Sequence, residues 1–159
     1  MEDAVESEWK MRSIDSWISK NPTCTYKFWS DFEIELFMKK IFSALLPLDI
    51  WKEMRQIERA DLFRYAVVLF HGGFYADIDV VCLKPISEWG IQNETQLVVG
   101  YETGWRLDEQ VRSTAGFSRN EQFEQWMFAA VPGHSVLRYC LELFKEKWEF
   151  GVENTVELS

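Results

Sequence analysis

RADLFRYAVVLFHGGFYADIDVVCLKPI, residues 59–86, is the stretch from which the rest of the chain is read. Its first half has the apolar spacing of a helix, Gly72-Gly73 supplies a left-handed C-cap and a tight turn, and Phe74 to Leu83 has the apolar, β-branched look of a central strand. Residues two apart on a strand leave the same face, so the pattern predicts Asp77 and Asp79 side by side, with Ile78 turned away. Asp61 and Arg64, three apart, share one face of the preceding helix. Carboxylates in so apolar a setting are costly unless a cation accompanies them. The hard oxygen donors suit Mg²⁺ or Mn²⁺ rather than zinc, and such a metal would neutralise a diphosphate leaving group. An i,i+3 ion pair on a solvated surface is the plain alternative for Asp61 and Arg64. Leu62, Phe63, Ala66 and Val67 argue instead for a buried segment.

Outside this stretch, 159 residues with 47% hydrophobic and 16% aromatic content suffice for one packed domain, or part of one. A net charge of −9 lacks the basic footprint of a nucleic-acid binder, and a phosphate-bearing ligand would need a metal bridge or a local basic group. No run approaches the roughly eighteen apolar residues of a membrane span. MEDAVESEWK resembles neither a signal nor a transit peptide. Cys24, Cys82 and Cys140 lie far apart, with no C-x-x-C spacing, and read as free thiols.

In chain order, residues 1–8 are acidic and expected to fray, and Met11, Ile14, Trp17 and Ile18 make a helical stripe over Trp9 to Lys20, stopped by Asn21-Pro22. Thr25 to Trp29 suggests a short strand. Ser30 and Glu33 form a capping box opening a helix to about Phe42, and a longer helix is expected from near Asp49 to His71. Ile57, Leu62, Phe63, Ala66, Val67 and Phe70 are its expected packing residues, and His71 is a cation suited to its C-terminus. Gln96 to Glu102 predicts a buried strand, Thr103 to Asn120 a long loop, Phe123 to Val131 a strand or a helix, with strand favoured by the Pro132-Gly133 break after it, and Ser135 to Phe150 a helix. Alternation at this spacing implies an α/β sheet with helices on both faces and a site beyond the carboxyl ends of the strands. That rule makes Glu102, at a strand end, a possible cleft residue. His134, in Pro-Gly-His before a helix, is a second candidate, with a capping role as its alternative.

The string R-A-D-x-x-R-Y, then G-G-x-Y-A-D-I-D-V, then L-K-P, resembles the glycosyltransferase family with a DxD sugar-binding region, closest to its fungal initiation-specific α-1,6-mannosyltransferase branch. The segment from Ser16 to Asp31 and EQFEQWMFAAVPGHSVL from Glu121 to Leu137 extend the likeness, with Ser135 where that branch usually has proline. The resemblance implies a GT-A-like (Rossmann-like) nucleotide-sugar-binding sheet flanked by helices, and retaining transfer of a hexose, most readily mannose from GDP-mannose, to a glycan or glycolipid acceptor. By position, Asp79 would coordinate Mn²⁺ (or Mg²⁺), Asp77 would contact the ribose or the metal through water, and Asp61 and Arg64 would hold the donor sugar. No side chain stands out as a covalent nucleophile. Family members begin with a strand reading I-P-K-I-I-H-Q-x-W and continue into a later G-P motif. Residues 1–159 therefore resemble a single catalytic domain lacking its first strand and C-terminal part, of a kind anchored in the Golgi membrane on the lumenal side. Three further readings stand beside this one: an inositol-phosphoceramide mannosyltransferase, a glycoside hydrolase using Asp77 and Asp79 as its carboxylate pair, and a non-catalytic binding remnant.

Overall fold

A computed structural model describes residues 2–45, 48–102 and 122–149. The expected loop from Thr103 to Asn120 lies outside them. Helix α1 spans Glu2–Lys20, so the acidic start is helical, and α2 spans Asp31–Leu45. Helices α3 (Leu48–Glu53) and α4 (Gln56–His71) follow, then strand β1 (Gly73–Ala76), a 3-10 turn at Ile86–Glu88, β2 (Leu97–Tyr101), β3 (Phe123–Ala130) and α5 (Ser135–Glu149).

The organising element is α4 rather than a strand. Leu62, Phe63, Arg64, Ala66, Val67, Val68 and Leu69 are all buried, so α4 is covered on nearly every side, as a core helix must be. It gathers Met38 and Ile41 of α2, Trp51, Met54, Phe128 and Ala130 of β3, and Leu137 and Leu141 of α5 into one cluster. Ile57 and Phe70, expected in this core, are exposed instead. The expected long helix is two helices, because Arg55 adopts an extended conformation (φ −66°, ψ 157°). There its amide donates to Glu58 Oε2 at 2.7 Å, and its guanidinium grips Oε1. Arginine is not a usual N-cap, which is why the break escapes the sequence pattern. The Ser30 capping box is as expected: the Ser30 amide donates to Glu33 Oε2 at 3.0 Å, and the Glu33 amide donates back to Ser30 Oγ at 3.4 Å.

The sheet has three strands in the order β1-β3-β2, both pairings antiparallel, so β1 and β2 run parallel to each other on either side of β3. The expected strand from Phe74 to Leu83 therefore shrinks to four residues at an edge, and β3 is the central strand. The physical reason lies in α1. The Asp77 amide still donates to the Trp126 carbonyl of β3 at 2.8 Å, but past Asp77 the backbone bonds to side chains of α1 and Asn21 instead of a neighbouring strand. Trp9 Nε1 donates to the Asp79 carbonyl at 3.3 Å, and Ser13 Oγ and Trp17 Nε1 both donate to the Val80 carbonyl. Ser16 Oγ accepts from the Cys82 amide and Asn21 Oδ1 from the Ile86 amide, each at 2.8 Å. The segment is splinted, not paired. The expected stripe on α1 shifts accordingly: Ser13 is buried, while Met11 and Ile18 are exposed. Thr25 to Trp29, expected as a strand, has no regular structure and no ladder partner among the described residues, and Trp29 packs on Phe37 and Phe63.

Gly72 (φ 67°) and Gly73 (φ 93°) make the left-handed turn that the sequence predicts. A Cβ at Gly72 would stand 2.6 Å from Pro132 Cδ, and the Gly133 amide donates to the Leu69 carbonyl at 2.7 Å. These contacts lock the end of α4 against the β3–α5 turn. Helix α4 packs on β1, β3 and α5, covering one face of the sheet. On the other face, where the expectation was more helices, Trp89 meets Phe74 edge-on at 5.7 Å. Between β2 and β3 the ladder opens. Val99 stands opposite Phe128 and Tyr101 opposite Phe123, so Gly100 alone faces the four residues from Glu124 to Met127. Among the described residues, no helix is long and apolar enough to cross a membrane.

Candidate functional site

Because α4 descends against β1, its first two turns lie beside the carboxyl end of that strand. Arg64, only 7% exposed, projects there between two carboxylates. Its Nη2 lies 2.9 Å from Asp61 Oδ1 and 3.5 Å from Asp77 Oδ2, the first a close ion pair and the second a looser one. Arg64 Nε is buried with no hydrogen-bond partner among the described residues. Its guanidinium carbon lies 5.7 Å from the centre of the Tyr75 ring. The Tyr75 hydroxyl donates to Asp77 Oδ1 at 2.6 Å. Both Asp77 oxygens are thereby spoken for, one by a phenol and one by a guanidinium. Tyr75 is the site residue that the sequence reading missed. Its signal was the alternate position before Asp77, which puts both on the helix-facing side.

Electrostatics separate the carboxylates. Burial raises the Asp61 carboxyl above its ordinary value, Arg64 pulls it down, and the charges of Asp77 and Glu58 push it up again. Burial, then the hydrogen bond to Asp77, raises the Tyr75 hydroxyl, so it stays a donor at neutral pH. Asp79 differs. The chain turns after Asp77, with the Val80 amide donating to the Asp77 carbonyl at 3.0 Å, and this leaves Asp79 exposed. The two aspartates therefore do not share a strand face. The cost argued for buried carboxylates applies to half-buried Asp77 and not to exposed Asp79.

Glu102 closes β2 at the same end of the sheet as Asp77. Its amide donates to the Gln122 carbonyl at 2.9 Å, and its carboxylate accepts from Gln122 Nε2. His134 lies at the far end, just past β3, where its Nδ1 accepts from the Val136 amide at 3.3 Å and caps α5. It takes no part in the Asp61–Arg64–Asp77 cluster. His71, at the end of α4, packs its ring against both Trp29 and Phe37.

Among the described residues, no three His, Cys, Asp or Glu side chains gather closely enough to cage a metal by themselves. The donor set instead fits a hard cation held by one or two carboxylates and completed by phosphate oxygens, the usual habit of Mg²⁺. Asp79 supplies an exposed carboxylate for this, and Asp77 lies two residues away, anchored by Tyr75 and Arg64.

Residues 7–96 match the family model described as a glycosyltransferase sugar-binding region containing a DXD motif. Over 135 residues, 77% of this chain, the sequence is 33% identical to an initiation-specific α-1,6-mannosyltransferase of Candida albicans, of which 34% is covered. It is 38% identical over 99 residues, 59% of this chain, to the enzyme of the same description in Schizosaccharomyces pombe, of which 22% is covered. An inositol phosphoceramide mannosyltransferase of the same yeast is 28% identical over 82 residues, 48% of this chain and 25% of that protein. The chain thus spans about a third or less of the length of these relatives. The match extends over the segment that carries Asp61, Arg64, Tyr75, Asp77 and Asp79, and the chain belongs to the family of glycosyltransferase sugar-binding regions containing the DXD motif.

Proposed function

We propose that residues 1–159 form part of the catalytic domain of a metal-dependent, retaining mannosyltransferase of GT-A architecture. It takes mannose from GDP-mannose and passes it to a glycan in the Golgi lumen, as in the initiation of N-glycan outer chains. The observation that carries this reading is the buried Arg64, held between Asp61 and Asp77 beside the exposed Asp79. The parallel course of β1 and β2, with Asp77 and Glu102 at their carboxyl ends, agrees with a nucleotide-sugar site at that edge.

In this reading Arg64 is fixed by its two ion pairs and presents its remaining N–H groups to hydroxyls of the donor sugar. An unpaired buried donor costs about 1–3 kcal/mol, and a ligand oxygen reaching Nε would recover part of that. Asp61 accepts from a second hydroxyl, and together the two residues orient the sugar ring. Tyr75 holds Asp77 in place through its hydroxyl. Asp79 and Asp77 would hold Mn²⁺ or Mg²⁺, which when bound stabilises negative charge on the departing diphosphate.

Calorimetric titration of GDP-mannose into the purified chain, with and without Mn²⁺, tests this directly. Binding that requires Mn²⁺ and disappears in Asp79→Ala is the expected result. A folded chain that binds no donor under either condition would overturn the donor site and leave a non-catalytic remnant of the fold. Transfer to inositol phosphoceramide in place of a mannan acceptor would keep the donor site and move the acceptor to the lipid class.

A further inference from the structure

Tyr101 and Phe123 stand opposite each other across β2 and β3, with their rings stacked at 5.0 Å and 30°. Each still keeps more than half of its surface in water, 59% for Tyr101 and 55% for Phe123. Stacking hides one face of each ring, so exposure this large leaves the outer faces open. A cross-strand aromatic pair helps to hold a ladder whether or not its rings are wet, and this one closes the ladder beyond the opening at Gly100. Its position suits it to more than that. Val99, opposite Phe128, lies on the sheet face that α4 covers, because Phe128 stacks on Tyr65 of that helix at 5.6 Å. Tyr101 follows two residues later and leaves the same face, whereas a Cβ on Gly100 between them would meet the Glu124 carboxylate. The Asp77 amide bonds to the Trp126 carbonyl, and Phe123 precedes Trp126 by three residues, about 10 Å along β3. The pair thus lies on the same face and at the same end of the sheet as the Asp61–Arg64–Asp77 cluster. An open aromatic face, negative at its centre, attracts the C–H face of a pyranose. The hydroxyls of such a sugar need acceptors, and Glu102, next to Tyr101, has lone pairs to spare beyond the hydrogen bond it takes from Gln122 Nε2. Charge narrows the ligand class. With Asp61, Asp77, Asp79 and Glu102 along this end of the sheet, a phosphate-bearing acceptor would meet like charges where a neutral sugar meets none.

We propose that Tyr101 and Phe123 form the platform on which a neutral pyranose of the acceptor stacks, with Glu102 accepting from one of its hydroxyls. Calling that sugar the acceptor rests on the mannosyltransferase reading, whereas the platform itself does not. Saturation-transfer NMR on the full chain with methyl α-mannoside, in the absence of nucleotide and Mn²⁺, reads the platform apart from the donor site. Saturable transfer to the ring C–H protons with a millimolar dissociation constant is expected. Tyr101→Leu together with Phe123→Leu keeps an apolar clasp across the strands but removes both ring faces, and should weaken binding at least tenfold with unchanged circular dichroism. Tyr101→Phe, which keeps the ring, should bind as wild type does, and so should Asp61→Asn. No transfer to the folded wild-type chain, or equal transfer to the double leucine variant, would overturn the proposal. Loss of transfer in Asp61→Asn would overturn it by placing the sugar in the donor site. Stronger transfer to myo-inositol 1-phosphate than to the mannoside would overturn the neutral class of ligand.

Discussion

Arg64 is the most exacting side chain in the molecule, a buried guanidinium whose two carboxylate partners come from different elements. Half of that arrangement was legible in the sequence, because i,i+3 spacing on any helix brings Asp61 and Arg64 together. The other half was not. Alternation of side chains presumes a paired strand, and the chain leaves its ladder at Asp77, so Asp79 could not be placed by period alone. Arg64→Met removes the shared cation and leaves two part-buried carboxylates facing each other. Complete loss of such a partner in a fully buried site costs about 3–5 kcal/mol. Since Asp61 and Asp77 keep some solvent contact, the expected loss here is about 2 kcal/mol in urea unfolding, accompanied by loss of donor binding. Unchanged stability would mean that the two ion pairs contribute nothing net.

Among the elements, α2 has the clearest local logic, and its start was readable from Ser30 and Glu33 alone. The Lys27 ammonium and the Ser30 amide and hydroxyl hold the Glu33 carboxyl at about 2, well below the ordinary 4.5. A depressed folded-state value means that the cap contributes fully above about 4.5 and loses its contribution as pH falls through about 2. Thermal unfolding of wild type and Glu33→Gln should therefore differ most at neutral pH and converge between pH 4.5 and pH 2. A difference that stays constant across that range would show that the cap does not depend on charge. The boundaries that failed share a cause. The break at Arg55 rests on Glu58, whose Oε1 takes two guanidinium donors and whose Oε2 takes the Arg55 amide, and the end of β1 rests on side chains some sixty residues upstream. Neither has a local composition signal. Residues 123–130 were recognisable as a strand from the Pro-Gly stop that follows. Their central place in the sheet depends on two partners distant in sequence, Gly73–Ala76 and Leu97–Tyr101.

For the molecule as a whole, the aspartate turn is held from both ends, by Arg64 and Tyr75 on one side and by α1 on the other. Substituting Ser13→Val together with Trp17→Leu removes both donors to the Val80 carbonyl. Amide exchange at Cys82 and Ile86 should then quicken at least tenfold, while protection in α4 and β3 stays near wild type. Equal loosening throughout would show that α1 supports the core rather than the turn. The splint also sets an order of events during synthesis. Helix α1 leaves the ribosome before its counterpart exists, because each of these contacts joins residues 61 to 70 apart. At roughly 5–20 residues per second, the wait is on the order of 3–14 seconds. A lone helix of nineteen residues is marginal in water, and Trp9, which ends up half-exposed even in the folded chain, has nothing to cover it meanwhile. The nascent chain thus passes through an interval in which its N-terminal segment is a ready client for a chaperone. The turn at Asp79 and Val80 acquires its splint only when that segment is released.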